Sequence, residues 1–239
     1  MLSDRIRQMA PSQTLELNSK IARLRSQGKN IIALNSGEPD YNTPRPIIDA
    51  ATRAMLEGRT KYTQTPGIPE LREAIVRKFQ KDNGIEYGTD EILVSTGAKY
   101  ALTIALQSLC NPGDEVIIPT PCWVSYVEMI KLAGGIPVLV PVREDNQLDM
   151  DKIRAAVTGK TRILLINSPN NPTGAVYPKE TMKALTALTL DRDLYLISDE
   201  VYEKLIYGST PHVSPASFSQ EIRDRTITVN AFSKSYSMT

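Results

Sequence analysis

The sequence predicts an α/β protein: a three-layer, mostly parallel sheet with helices on both faces, preceded by an N-terminal arm. Short apolar runs recur at 92–95 (ILVS), 115–118 (EVII), 136–142 (IPVLVPV), 162–167 (RILLIN), 194–198 (LYLIS) and 226–231 (TITVNA). Most are apolar on both faces, which suits strands buried inside a parallel sheet. Amphipathic stretches of helical length lie between several of these runs. Strand–helix–strand alternation of this kind implies right-handed crossovers. No internal repeat or low-complexity segment interrupts it.

Taken in order, the first 36 or so residues read as an arm with a helix near 15–27, outside the sheet, and residues 37–239 as one large domain. A second helix is expected over 69–83. Pro69 suits its first position, Leu71, Ile75, Val76 and Phe79 share a face, and Gly84 supplies a stop. A third, over 97–110, carries Ala101, Leu102, Ala105, Leu106 and Leu109 and ends at Asn111-Pro112-Gly113. A fourth, over 178–190, opens at Pro178 and carries Met182, Leu185 and Leu188.

The bulk composition excludes several function classes. In 239 residues, 28 Lys and Arg balance 27 Asp and Glu to a net charge of +1. No basic stripe for nucleic acid and no acidic tail stands out. Cys110 and Cys122 form neither a metal-type spacing nor a disulfide framework, so a reducing cytoplasm is the expected home. The start, MLSDRIRQM, carries charges where a signal peptide needs an apolar stretch. No apolar run approaches the ~20 residues of a membrane span. No metal site is predicted, and His212, with no metal-like or triad partner in the sequence, reads as structural.

Ligand sites in open parallel sheets lie at the carboxyl ends of the strands. Gly97, Trp123, Asn171, Asp199 and Lys234 each follow an apolar run at such an end. Lys234 offers an amine that can form an imine with an aldehyde. Asp199, ending an apolar strand, needs a cationic partner. Tyr202 and Asn171 add a phenol and an amide. Ser95-Thr96-Gly97-Ala98-Lys99 at a strand-to-helix junction offers backbone N–H groups and a helix N-terminus to a phosphate. It is no Walker A loop, and there is no GxGxxG. An imine-forming lysine, a buried carboxylate and a phosphate cradle are the equipment for pyridoxal phosphate.

The segments SGEPD (36–40), SPNNPTG (168–174), SDEVY (198–202) and FSKS (232–235) resemble, in order and spacing, the class I/II aminotransferases of the fold-type I pyridoxal-phosphate family. The resemblance runs from PSQT at 11–14 to the last residue. It implies that Lys234 carries the cofactor, that Asp199 pairs with its ring nitrogen, and that Tyr202 and Asn171 (not Asn170) bond its phenolic oxygen. Trp123 would stack on the ring; Gly97, Ala98, Lys99 and Ser233 would surround the phosphate. Where the family commonly has Ser or Thr three positions before the lysine, this chain has Ala231, one donor fewer. Tyr62 would reach a partner subunit's phosphate in a homodimer, and Gly37 would touch the substrate α-carboxylate. PSQT together with Gly-Ala-Lys is similar to the prokaryotic aspartate and aspartate/prephenate branch, in which Ser12, Thr14 and Lys99 read a side-chain carboxylate. The implied reaction moves an amino group from aspartate to 2-oxoglutarate in a ping-pong cycle. A lyase or cyclising synthase on the same fold, or a non-catalytic sensor domain, are the alternatives. The family continues past SYSMT with Gly-Trp-Arg, a further strand and a small C-terminal domain. Without that strand, the run at 91–95 is expected to lack a partner.

Overall fold

The computed structural model describes residues 2–7, 9–11, 13–35 and 37–239, leaving aside the side chains of residues 4, 5, 13 and 14. The arm carries helices α1 (Asp4–Arg7) and α2 (Gln13–Ser26), and α3 (Arg45–Leu56) follows it. Helix α4 (Pro69–Lys78) opens on Pro69 and runs into a π-helical turn, Phe79–Asn83. Gly84, at φ 67°, ends it in a left-handed conformation that a glycine adopts without strain. Helix α5 (Ala98–Leu109) leads into the sheet: β1 (Glu115–Thr120), α6 (Ser125–Leu132), β2 (Ile136–Pro141), α7 (Met150–Ala156), β3 (Thr161–Asn167), α8 (Lys179–Asp191), β4 (Tyr195–Asp199), α9 (Gln220–Arg223), β5 (Thr226–Val229) and α10 (Phe232–Ser235).

All four pairings in the sheet are parallel, in the order β2-β1-β3-β4-β5. Successive side chains leave opposite faces, so each central strand feeds two apolar layers. Ile163, Leu165 and Ile197 join Leu102 and Leu106 of α5 and Ile130 of α6 on one face. Leu164, Ile166 and Leu196 join Ile153 of α7 and Leu185 and Leu188 of α8 on the other. Each such side chain stabilises the fold by about 1.5–3 kcal/mol on burial. The two layers clamp β1, β3 and β4 and hold their carboxyl ends in register: Asn167 stands opposite Asp199, and Asp199 opposite Val229.

Two expectations are corrected. The run 92–95 is not a strand. Its Val94 N–H bonds Pro66 O at 3.0 Å and it joins no ladder; Ile92 is buried against Phe79 and Ile85, while Leu93 on the other side is 55% exposed. An apolar run becomes a strand only where a neighbour accepts its backbone groups. The second correction concerns β2, which is not buried on both faces. As an edge strand it leaves Ile136 and Leu139 exposed.

Candidate active site

Asp199 ends β4 and is 2% exposed. Its Oδ2 accepts a hydrogen bond from the Tyr126 hydroxyl at 2.6 Å, and its Oδ1 accepts from the Val201 N–H at 3.2 Å. Among the described residues no Lys, Arg or His pairs with it. Burial pushes its carboxyl up to about 6, against the pull of the Tyr126 and Val201 hydrogen bonds, and the neighbouring Glu200 charge adds to the rise. Burial and the Asp199 charge in turn raise Tyr126 well above the ordinary phenol.

Beside Asp199, the β3–α8 loop presents Asn171, whose Nδ2 donates to the Tyr202 hydroxyl at 3.3 Å. Burial raises the Tyr202 phenol, and the Asn171 hydrogen bond pulls the other way. Asn170 plays a different part. Its Oδ1 accepts from Thr173 N and Thr173 Oγ1 within the turn. The loop is tied to β4 by Asn167, which accepts from Asn171 N at 2.7 Å and donates to Asp199 O at 3.0 Å.

Lys234, in α10, is half-buried and lies 5.7 Å from the centre of the Tyr202 ring. Its Nζ donates to Gly37 O at 2.6 Å, so the loop at 37–40 reaches the same cleft. Ser233 precedes it in the same short helix. Gly97 caps α5 at φ 84°, no side chain caps that terminus, and a Cβ on Gly97 would meet nothing within 4 Å. Backbone N–H groups at an uncapped helix start are an anion site in waiting. Ala98 and Lys99 follow, and Lys99 Nζ sits 4.9 Å over the Trp123 ring. Trp123 meets Tyr126 edge-to-face at 5.4 Å, which connects this group to Asp199.

The structure thus brings Trp123, Asn171, Asp199, Tyr202 and Lys234 to the ends of four strands, with Gly97, Ala98 and Lys99 beside Trp123. Tyr62 stands apart, fully solvent-exposed. Ser12 lies outside the described residues, as does the side chain of Thr14. Sequence reasoning missed Tyr126 and Asn167. Tyr126 had a signal, since it follows Trp123 by three positions on a helical stretch and faces the same way; Asn167 had only its place at the end of LLIN. His212 is not alone either: its Nε2 lies 2.8 Å from Glu200. A separate groove, lined by Lys179, Lys183, Phe218 and Ile222, runs along α8 away from these strand ends.

The family pattern for class I and II aminotransferases matches residues 29–239. The chain belongs to that family. It is 48% identical over 240 residues to a probable aspartate/prephenate aminotransferase of Aquifex aeolicus and 47% identical to an aspartate aminotransferase of Geobacillus stearothermophilus. The match takes in all of this chain and 61% of each of those relatives. Among solved aminotransferases, the Thermus thermophilus aspartate aminotransferase with maleate superposes at a TM-score of 0.95 and 45% identity, over all of this chain and 62% of that one. No helix among the described residues is long and apolar enough to cross a membrane.

Proposed function

We propose that this chain provides the cofactor-binding part of a pyridoxal-phosphate aminotransferase that transfers the amino group of aspartate to 2-oxoglutarate. One observation carries the reading. Asp199 is a buried acceptor with two hydrogen-bond donors and, among the described residues, no cation, at the strand ends that also carry Lys234. Such a carboxylate fits a protonated ring nitrogen. The open space at Gly97 and the uncapped start of α5 fit a phosphate.

When bound, pyridoxal phosphate supplies an aldehyde carbon that exchanges amines and a ring that draws electron density. The rest is the work of this chain. Asp199 keeps the ring nitrogen protonated, Asn171 and Tyr202 hold the ring oxygen in its ionised form, and Trp123 covers the ring face. Gly97, Ala98, Lys99 and Ser233 surround the phosphate. Lys234 is the attachment point, and its Nζ takes up and returns the substrate's α proton. Lys99 favours a dicarboxylic substrate, and the relatives' names and the dicarboxylate maleate in the Thermus structure support aspartate. Ser12 and Thr14 belong to the same side-chain subsite, and Gly37 to the α-carboxylate.

Residues 1–36 act as an arm and small-domain segment, and 37–239 as the large domain. The fully exposed Tyr62 suits a contact with a second copy in a homodimer. The two free thiols suit a reducing cytoplasm. The deciding experiment is an absorbance scan of the purified protein loaded with pyridoxal phosphate. A near-visible band that bleaches on adding aspartate, with borohydride reduction fixing the adduct at Lys234, supports the reading. No band, or an adduct on another lysine, defeats it.

A further inference from the structure

Behind Asp199 the chain builds a second polar centre that the proposed chemistry does not use. Glu200, the first residue after β4, points into the protein, where it is 0% exposed. Its Oε1 accepts from Ser198 Oγ at 2.9 Å. Its Oε2 accepts from Asn83 Nδ2 at 3.3 Å, from Ser214 Oγ, and from His212 Nε2 at 2.8 Å. Glu203, next to Tyr202, enters the same cluster. It accepts from Asn83 at 2.8 Å and pairs with Lys78 at 2.5 Å. Burial alone would raise the Glu203 carboxyl, but Lys78, Asn83 and Asn230 together hold it low.

The layout has a pattern. Glu200 neighbours Asp199, Glu203 neighbours Tyr202, and Asn230 precedes Lys234 by four positions. The buried cluster is therefore the footing of the three side chains that face the cleft. The three ligand-type groups Glu200, Glu203 and His212 lie within 4.8 Å of one another. Lys78, Asn83, Ser198 and Ser214 already fill the carboxylate oxygens, so the cluster is closed by its own donors and is no cation site.

Within it, His212 has a defined task. An ionised carboxylate only accepts, so His212 Nε2 carries the hydrogen. Lys78 lies on Glu203, which leaves His212 as the one basic side chain among the described residues that contacts Glu200. The other titratable groups on this side are the Tyr87 phenol, bonded to Thr228, and Arg223, stacked on Tyr87. The Asp199–Glu200 peptide is gripped from the front by Asn167 Nδ2 and Ser168 N–H on Asp199 O, and from the side by Glu200 N–H on Val229 O. From behind, among the described residues, the Glu200 side chain anchors it to Ser198, Asn83, Ser214 and His212.

We propose that His212 is a positioning residue for Asp199: acting through Glu200, its Nε2–H pins the turn after β4 so that the adjacent carboxylate stays aimed into the cleft. The catalytic part rests on the pyridoxal-phosphate reading above. Loss of the pin leaves Glu200 buried with its charge less compensated, and that charge already pushes the Asp199 carboxyl upward.

The test combines kinetics with a spectroscopic readout. His212→Ala in the cofactor-loaded enzyme should lower kcat for aspartate by about tenfold with little change in KM. His212→Gln, which keeps a donor, should recover most of it, and His212→Ala with Glu200→Gln should lose no more than the worse single variant. Because His212 is the chain's only histidine, its ring nitrogens are read without ambiguity by 15N NMR. The Nε2–H should exchange slowly, shift when pyridoxal phosphate is added, and lose its protection in Glu200→Gln. Wild-type kcat in His212→Ala, no rescue by Gln, or a fast-exchanging ring indifferent to the cofactor would overturn the inference alone. Wild-type protein that takes up no pyridoxal phosphate would instead overturn the functional reading, while the exchange of the Nε2–H still decides whether the pin exists.

Discussion

The two sides of the turn after β4 hold similar chemistry in opposite conditions. On the rear side, Glu200 and Glu203 are surrounded by Asn83, Ser198, Ser214, His212 and Lys78, so that each carboxylate has both hydrogen bonds and a basic neighbour. On the cleft side, Asp199 is as deeply buried but has only Tyr126 and Val201, and Lys234 is turned to a backbone carbonyl. Burial by itself therefore does not mark a functional group. What marks it is burial with capacity left over, because a folded chain otherwise closes its polar groups on one another.

The sharpest way to break that comparison is Asp199→Ala. Removing the lone carboxylate should cut kcat with aspartate by at least about a hundredfold, while leaving the cofactor attached to Lys234. Near-normal turnover in steady-state assays would mean that the cleft side is as closed as the rear.

The unloaded protein should show the same contrast as a pH dependence. The Asp199 carboxyl titrates near 6 in the fold and near 3.8 when unfolded, so the folded state binds more protons between those values. Stability from this group is greatest below about 4 and falls as pH rises through 6, by roughly 3 kcal/mol in all. Urea melts of the unloaded Asp199→Asn variant should lack that component. An unchanged pH profile would show that Asp199 is not strained by its burial.

Lys99→Ala should weaken aspartate by about ten- to a hundredfold in kcat/KM, with alanine or an aromatic amino acid affected far less. Equal losses on all three would assign Lys99 to the phosphate or to packing on Trp123. The smallest effect is expected for Tyr126→Phe, which removes one hydrogen bond from the ionised carboxylate. The Asp199 titration, followed by carboxyl 13C NMR, should move above 6, and kcat should fall by about tenfold or less. A downward move would reverse the role given to Tyr126.

Much of this was legible in the sequence because the signals are local. Helices α4, α5 and α8 begin within a residue of where Pro69, Gly97 and Pro178 place them, and four of the five strand-end residues meet at strand ends in the sheet. What was not legible depends on partners distant in sequence. The run 92–95 has a strand's composition and no ladder to join. Helix α3 has an apolar face and buries no residue, so its periodicity announces a cover without saying what the cover is. Tyr126 and Asn167 look like an ordinary helix residue and a strand terminus until the fold puts one 2.6 Å and the other 3.0 Å from Asp199. His212 stood alone in sequence because its carboxylate lies twelve residues away across a loop.

The two outer strands differ in a way that bears on how copies of this chain meet. In β2, Ile136 N–H and the following Val142 N–H both turn inward, to Asp114 O and Thr120 O. The alternate positions 137, 139 and 141 therefore face outward, and two of them are prolines, so that rim offers a single amide proton, at Leu139. In β5, at the other end of the sheet, there is no proline; Thr226 is buried with its hydroxyl on Ile222 O, and Thr228 meets the Tyr87 hydroxyl at 2.9 Å. A rim with a single donor is a poor template for another strand. Sheet-to-sheet joining of two molecules is thus disfavoured along β2, where the prolines stand guard over an otherwise half-exposed apolar edge.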